Sequence, residues 1–490
     1  MFNQRLDIGA AVAIKNQPAS AGRAWTAPLH LKLTQCVGSQ FYDPHEKTWS
    51  ETLLVNGRLE LNESVFEDTT VQRDSFLHVR GNVTGDLTIE PGSHVVIEGW
   101  VEGKVINRGG RLVINNSGLV DLIAADGPPL VEASGILKIN LSAIVLNWTA
   151  LRRRTVAECA AVLKADAFSC GIDQITTALA KSGCRTFFVS DLAEARRVRA
   201  AAREATIYVL NGFYPGTGPA FAEINAQPVI SSLVDVSEWD VFVSSSRWQG
   251  GFALNIDTGT SRLGISIDEA VAFASRVHSA NFGVTLLMST LESGAATDQA
   301  RQIKLFQDVR RLYGRIPGSL TNPLDALLGQ EAHFDLFQVG AALFGVNPTP
   351  GNKNPMVQVI ELQARTVMVQ NLEPGQTVYK SIGTRKRPSR VALVSLSYAD
   401  GYPRPGDAFD VSRQAIVSGK LCPIAGGPSM DLLAVDVSDL PDLMTARRGD
   451  MVTLLGGEIS IHDLAVAAHS TEREVLANLG RGFRRIYHLG

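Results

Sequence analysis

The chain has 490 residues, a formal net charge of −3, and a composition that is 45% hydrophobic and 19% charged. No Lys/Arg cluster interleaved with aromatics points to nucleic acid, and no run approaches the ~20 apolar residues of a membrane span. The cysteines (Cys36, Cys159, Cys170, Cys184, Cys422) are scattered without a CxxC spacing, so neither a metal site nor a disulfide framework is expected, and a reducing cytoplasm is the expected compartment.

At roughly 100–200 residues per domain, two to four domains are expected. Residues 1 to 60 carry weak signals; the basic residues Arg5, Lys15 and Arg23 precede no continuous apolar core, so no signal peptide is expected. From residue 63 the text turns to short alternating apolar positions with many glycines. "GNVTGDLTIEPGSHVVIE" (81–98) and "GWVEGKVINRGGRLVINN" (99–116) align without gaps, pairing Val83 with Val101, Leu87 with Val105, Gly92 with Gly110 and Val95 with Val113. Degenerate copies occupy 63–80 and 117–134. A period of 18 with apolar alternation fits one coil of a β-helix, with a small β-sandwich as the competing reading. The texture is similar to that of the bactofilin-type polymer-forming β-helices. "ADGPP" (125–129) reads as a linker, because its prolines cannot continue a ladder.

The next elements alternate at a longer period. Strand candidates are "AAVLK" (160–164), "TFFVSD" (186–191), "TIYVLNG" (206–212), "QPVISSLVD" (227–235), "GGFALNIDTG" (250–259), "GVTLLMST" (283–290), "GSLTN" (318–322) and "FDLFQVGAALFG" (334–345), with Ala-rich helical text between several of them. Eight βα units predict a parallel barrel whose site lies at the C-terminal strand ends. From about 355 the helical text stops, and β-rich text with turns runs to the end.

Lys164 closes the first of these strands. Taken alone, it has three readings: a salt-bridged structural residue, a phosphate ligand, or a Schiff-base amine, which requires burial or neighbouring charge.

The motifs around it narrow the choice. "VLKADAFSCG" (162–171) resembles the lysine motif of the alanine racemase family, which binds pyridoxal 5'-phosphate (PLP). "LKINLSAIVLNW" (137–148), "DTGTSRLG" (257–264), "SLTN" (319–322), "FDLFQVGAALFG", "SLSYADGYPR" (395–404), "CPIAGGPSMDLLAVDV" (422–437) and "ANLGRGFRRIY" (477–487) resemble its later motifs in order. The resemblance covers about 134–490 and implies a PLP-binding (β/α)8 barrel plus a C-terminal β domain, in a homodimer. It implies that Lys164 holds the cofactor and acts as one base, and that Tyr398 is the opposite base, supplied across the dimer interface. Arg262 is then expected on the cofactor and the substrate carboxylate, with Met430 and Asp431 at the carboxylate end. Phe168, Asn322, Gln338, Gly340, Ala341 and Tyr487 are expected to line the cofactor. Singly, Arg262 reads as a surface ion-pair residue, and Tyr398, Tyr402 and Tyr487 as packing aromatics; their ordered co-occurrence with Lys164 carries the assignment.

The departures from the family pattern are concentrated around the cofactor. Phe168 stands where a tyrosine is usual, Pro323 where a serine follows Asn322, and Asn255 where a lysine often stands. Thr290, Gln338 and Ser319 replace a histidine, the arginine at the pyridine nitrogen, and a second histidine. A neutral Gln338 fixes that nitrogen's proton less firmly than an arginine.

The sequence thus predicts a β-helix-like domain (1–130), a PLP-binding (β/α)8 barrel (134–354) and a C-terminal β domain (355–490). The expected activity is two-base racemisation of an amino acid, not necessarily alanine. The alternatives are a PLP enzyme of another reaction type, decarboxylating or transaminating, and a non-catalytic PLP-binding scaffold.

Overall fold

The computed structural model describes residues 37–43, 48–62, 68–83, 85–101, 103–114, 124–126, 133–246, 248–280, 283–292, 295–321, 332–349, 351–377, 387–404, 413–441, 446–480 and 483–489. The chain divides into two compact units, with the boundary between Ala125 and Asp126.

In the first unit, short parallel strands pair at the spacing of the repeat. Arg58–Leu61 pairs with Phe76–Val79, and Phe76–Val79 with His94–Ile97, each residue meeting the one 18 positions on. Asp68–Val71, Leu87–Ile89 and Val105–Asn107 form a second ladder. The side chains repeat too. Arg58 lies 4.7 Å from the centre of the Phe76 ring, which meets His94 edge-on at 5.3 Å, and Asp68 and Asp86 each accept from the backbone N–H 18 residues later at 2.8 Å. Gly103 is required by the stacking, because a Cβ there would lie 2.3 Å from the Gly85 carbonyl oxygen. The inward positions Val55, Leu59, Val71, Leu77, Leu87 and Val95 are fully buried together.

The ungapped alignment holds for Val83 with Val101 and Leu87 with Val105. It slips by one residue afterwards, since Val95 meets Leu112 rather than Val113. The cause is a tighter turn, in which Asn107 Oδ1 accepts from the N–H groups of Gly109 and Gly110 at 2.9 Å. Of "ADGPP", Ala125 and Asp126 belong to a short strand, Ala124–Asp126, because the prolines follow it rather than interrupt it; residues 127–129 lie outside the described residues.

The second unit contains a parallel eight-stranded sheet. Its strands are β1 (Glu158–Val162), β2 (Thr186–Val189), β3 (Thr206–Val209), β4 (Gln227–Ile230), β5 (Phe252–Asn255), β6 (Val284–Thr290), β7 (Gly318–Thr321) and β8 (Leu336–Val339). Each neighbours the next, and β8 pairs back with β1. Between β7 and β8 the Asp335 N–H donates to the Gly318 carbonyl at 3.0 Å, which brings the sheet to near closure as a barrel. Its interior alternates small and large residues: Ala160 and Ala253 leave room for Phe188 and Tyr208, whose rings stack at 5.0 Å.

Helices return the chain between strands, and their starts are capped as the sequence dictates. Asn140 accepts from the Ala143 N–H at 2.9 Å ahead of Leu141–Arg152, and Asp191 from Glu194 at 3.0 Å ahead of Leu192–Ala201. Buried Asn147 fixes the exit from the barrel by bonding the Leu343 and Val357 carbonyls and the Val357 N–H.

The C-terminal β domain is built on the long strand Ile360–Leu372, which pairs antiparallel with Gly135–Asn140, Met451–Leu455 and Ser389–Val394. The terminal strand Arg484–His488 lies parallel to Gly135–Asn140, with Tyr487 opposite Ile139. Helical text does not stop at 355: Ile461–Ala467 and Glu472–Asn478 are helices. Ser460 and Thr471 cap them, and Ser460 with Asp463 forms a reciprocal capping box, a spacing visible in "SIHD".

Candidate active site

β1 delivers Lys164. The Leu163 N–H donates to the Phe188 carbonyl at 2.8 Å, and Lys164 follows, exposed, at the C-terminal end of the barrel strand. The next five residues, Ala165, Asp166, Ala167, Phe168 and Ser169, have φ between 52° and 64°, one left-handed turn. Each such residue costs roughly 1–2 kcal/mol, so the surroundings must impose the turn.

Asp166 does most of this, and sequence reasoning missed it. Its N–H donates to Glu194 at 2.8 Å, and its carboxylate accepts from the Ile172 N–H at 3.0 Å. It also pairs with Arg197 at 2.6 Å and with buried Arg485 at 2.8 Å. Burial pushes the Asp166 carboxyl up, but the Ile172 N–H and the two guanidinium groups outweigh it and hold it below the ordinary 3.8. Ser169 adds a hydroxyl donation to the Ala477 carbonyl at 2.9 Å.

The turn faces two further elements. Gly340 precedes a short 3-10 helix, Ala341–Phe344, that follows β8. The Phe168 ring packs on Phe344 at 5.0 Å between centres. The buried Tyr487 hydroxyl lies against Gly171.

Arg262 is exposed on the loop after β5. That loop is held at both ends. Asp257 accepts from the N–H groups of Gly259 and Thr260 at 2.8 Å, and Asn255 donates to the Leu263 carbonyl at 3.0 Å. Asn255 therefore acts as a loop latch. At the barrel end, buried Gln338 donates to Ser319 at 2.9 Å, and Ser319 donates to the Leu336 carbonyl at 2.7 Å. Thr290 closes β6, partly exposed. Asn322 and Pro323 lie outside the described residues.

Tyr398 begins a 3-10 turn, Tyr398–Asp400, in the C-terminal domain. The Ala399 N–H donates to the Met430 carbonyl at 3.0 Å, and the Ser397 hydroxyl to the Ser429 carbonyl at 2.6 Å. Tyr398 and Met430 are thereby brought together, with exposed Asp431 bonded to Ser429 at 3.1 Å. The Gly480 N–H donates to the Asp400 carbonyl at 2.7 Å. Residues 477–480 thus touch both the lysine turn, through Ser169, and the tyrosine turn, through Asp400.

Among the described residues no His/Cys/Asp/Glu group could hold a metal ion, and no helix is long and apolar enough to cross a membrane. The four described cysteines are buried, and burial pushes the Cys170 and Cys184 thiols up to about 12, far from a reactive thiolate.

Comparison with known proteins agrees with this geometry. Residues 139–348 match the family model described as "Alanine racemase, N-terminal domain", and residues 359–487 match "Alanine racemase, C-terminal domain". Among curated proteins, the alanine racemase of Methylobacterium sp. (strain 4-46) is 42% identical over 356 residues, 72% of this chain and 97% of that protein. That of Rhizobium meliloti is 35% identical, over 74% of this chain and 98% of the relative. Among solved structures, the Bartonella henselae alanine racemase with covalently bound pyridoxal phosphate has a TM-score of 0.66 at 28% identity, covering 73% of this chain and all of that one (100%). Over these two domains, the chain belongs to the alanine racemase family.

Proposed function

We propose that the second unit is a PLP-dependent amino-acid racemase, acting on alanine as its relatives are named for, or on a related small amino acid. The observation that carries the reading is Lys164, exposed at a barrel strand end on a left-handed turn fixed by Asp166. The residues fit PLP. An amine stands at the strand end, main-chain N–H groups of Gly340 and Ala341 open a 3-10 helix, and Tyr487 occupies space that a side chain at position 171 would take.

When bound, PLP supplies an electron sink for negative charge at the substrate α-carbon. Lys164 holds the cofactor and moves the α-proton on one face; the Tyr398 hydroxyl moves it on the other. Two bases on opposite faces are what inversion of a stereocentre needs. Arg262 binds the substrate carboxylate, with the Met430 main chain and Asp431 at the same end. Gly340, Ala341 and Tyr487 would donate to the phosphate, with Phe168 beside it, and Gln338 would meet the ring.

Tyr398 reaches the site from a partner subunit in a homodimer. Exposed Val367, Met368, Leu421 and Met430 on the β domain support a buried contact there. We further propose the three-part organisation 1–130, 134–354 and 355–490, the first part a β-helix-like domain similar to bactofilins, in a cytoplasmic protein. The 18-residue parallel pairings and the buried free thiols support these readings. A chain beginning at residue 131 is expected to fold and bind PLP; an insoluble or PLP-free product would reject the division.

The test of the site is borohydride reduction of the PLP-loaded protein followed by peptide mapping. The cofactor should be fixed to Lys164 alone, and Lys164→Ala should fix none. Label on another lysine in the wild type would overturn the assignment.

A further inference from the structure

We propose that Arg404 is the positioning residue that aims the Tyr398 hydroxyl; the inference rests on the reading of Tyr398 as a base. The Arg404 guanidinium carbon lies 3.9 Å from the centre of the Tyr398 ring, inside the range in which a cation is held by the negative face of an aromatic ring.

The Tyr398 backbone is pinned by Ala399 to Met430, by Ser397 to Ser429 and by Gly480 to Asp400, but these bonds do not fix the phenol. The tyrosine is only half-buried, so its ring needs a contact to hold one direction. Arg404 supplies that contact, and the chain is built to place it. Gly401, at φ +87°, reverses direction where a Cβ would lie 1.6 Å from the Asn478 carbonyl oxygen. Tyr402 is then buried under Arg413, whose guanidinium is 4.7 Å from the ring centre and donates to the Pro403 carbonyl at 2.9 Å. Arg404 therefore leaves a clamped Tyr402–Pro403 base and folds back over residue 398. Its aliphatic stem gives shape and its planar cation gives attraction, so a lysine keeps the charge and a methionine keeps only the bulk.

The experiment is deuterium wash-in at the α-carbon in D2O, run separately on each enantiomer of alanine with the PLP-loaded full chain. Wild type, Tyr398→Phe, Arg404→Lys and Arg404→Met are compared. Tyr398→Phe slows one enantiomer selectively. Arg404→Met slows that same enantiomer by about 10-fold more than the other, because a base moved by a fraction of an ångström loses its reach. Arg404→Lys recovers most of the loss. Near-UV circular dichroism of the unloaded protein gives an independent readout: the signal lost in Tyr398→Phe is also lost in Arg404→Met and retained in Arg404→Lys. Equal slowing of both enantiomers by Arg404→Met, or a methionine variant matching the lysine variant, overturns the positioning role while Tyr398 stands. Equal slowing by Tyr398→Phe removes the base reading itself, and the role of Arg404 with it.

Discussion

The Tyr487 hydroxyl fills the space beside Gly171: a Cβ built on Gly171 would lie 2.0 Å from that oxygen, and Gly171 holds φ at +84°. Gly171→Ala meets both a clash and a left-handed backbone, so the hydroxyl must leave the position from which it is proposed to donate to the phosphate. PLP affinity is expected to fall about 10-fold or more. Titration of unloaded protein with PLP, read by absorbance, checks this; unchanged affinity would detach Tyr487 from the cofactor.

Asp166→Asn should loosen the lysine turn. Removing one partner of the buried Asp166–Arg485 pair is expected to cost about 3 kcal/mol at neutral pH. The Asp166 carboxyl sits below its ordinary 3.8, so its contribution is fully present above that value and is lost as pH falls through the depressed folded value. Urea unfolding of wild type and variant should therefore differ at pH 7 and converge as the medium is acidified through the depressed folded value of Asp166. A gap that stays constant down to acid would mean that the Asp166 charge does not hold the turn.

Gln338→Arg is expected to destabilise the protein by about 3 kcal/mol, because it buries a cation beside Ser319, which is fully buried and already spends its proton on the Leu336 carbonyl. The triple variant Thr290→His, Gln338→Arg, Ser319→His is expected to regain most of this. Thermal melts of the two variants against wild type decide the matter; a single variant as stable as wild type would show that the neutral Gln338–Ser319 chain is not matched to its surroundings.

The barrel was legible because several of its short apolar runs are followed by helical text, and each of the eight runs contains all or most of one strand, β1 to β8, although the runs at 227–235 and 334–345 extend into helix. The C-terminal helices were not, because "SIHD" and "STERE" are brief capping signals inside β-rich text. Lys164 could be singled out as a charge at the end of an apolar run. Asp166 could not: its partners Arg197 and Arg485 are 31 and 319 residues away, and only the folded chain brings them together. The same holds for Ser169 and Ala477. The slip at Leu112 was hidden for a smaller reason, a turn shortened by the Asn107 side chain.

The central proposal is inversion of an amino acid at its α-carbon with Lys164 as one base. The direct measurement is chiral chromatography of L-alanine, and of a pool of L-amino acids, incubated with purified PLP-loaded protein. A D-enantiomer is expected to accumulate toward equal amounts with wild type, and none is expected to form with Lys164→Ala. PLP-loaded wild type that yields no D-amino acid from any member of the pool would contradict it.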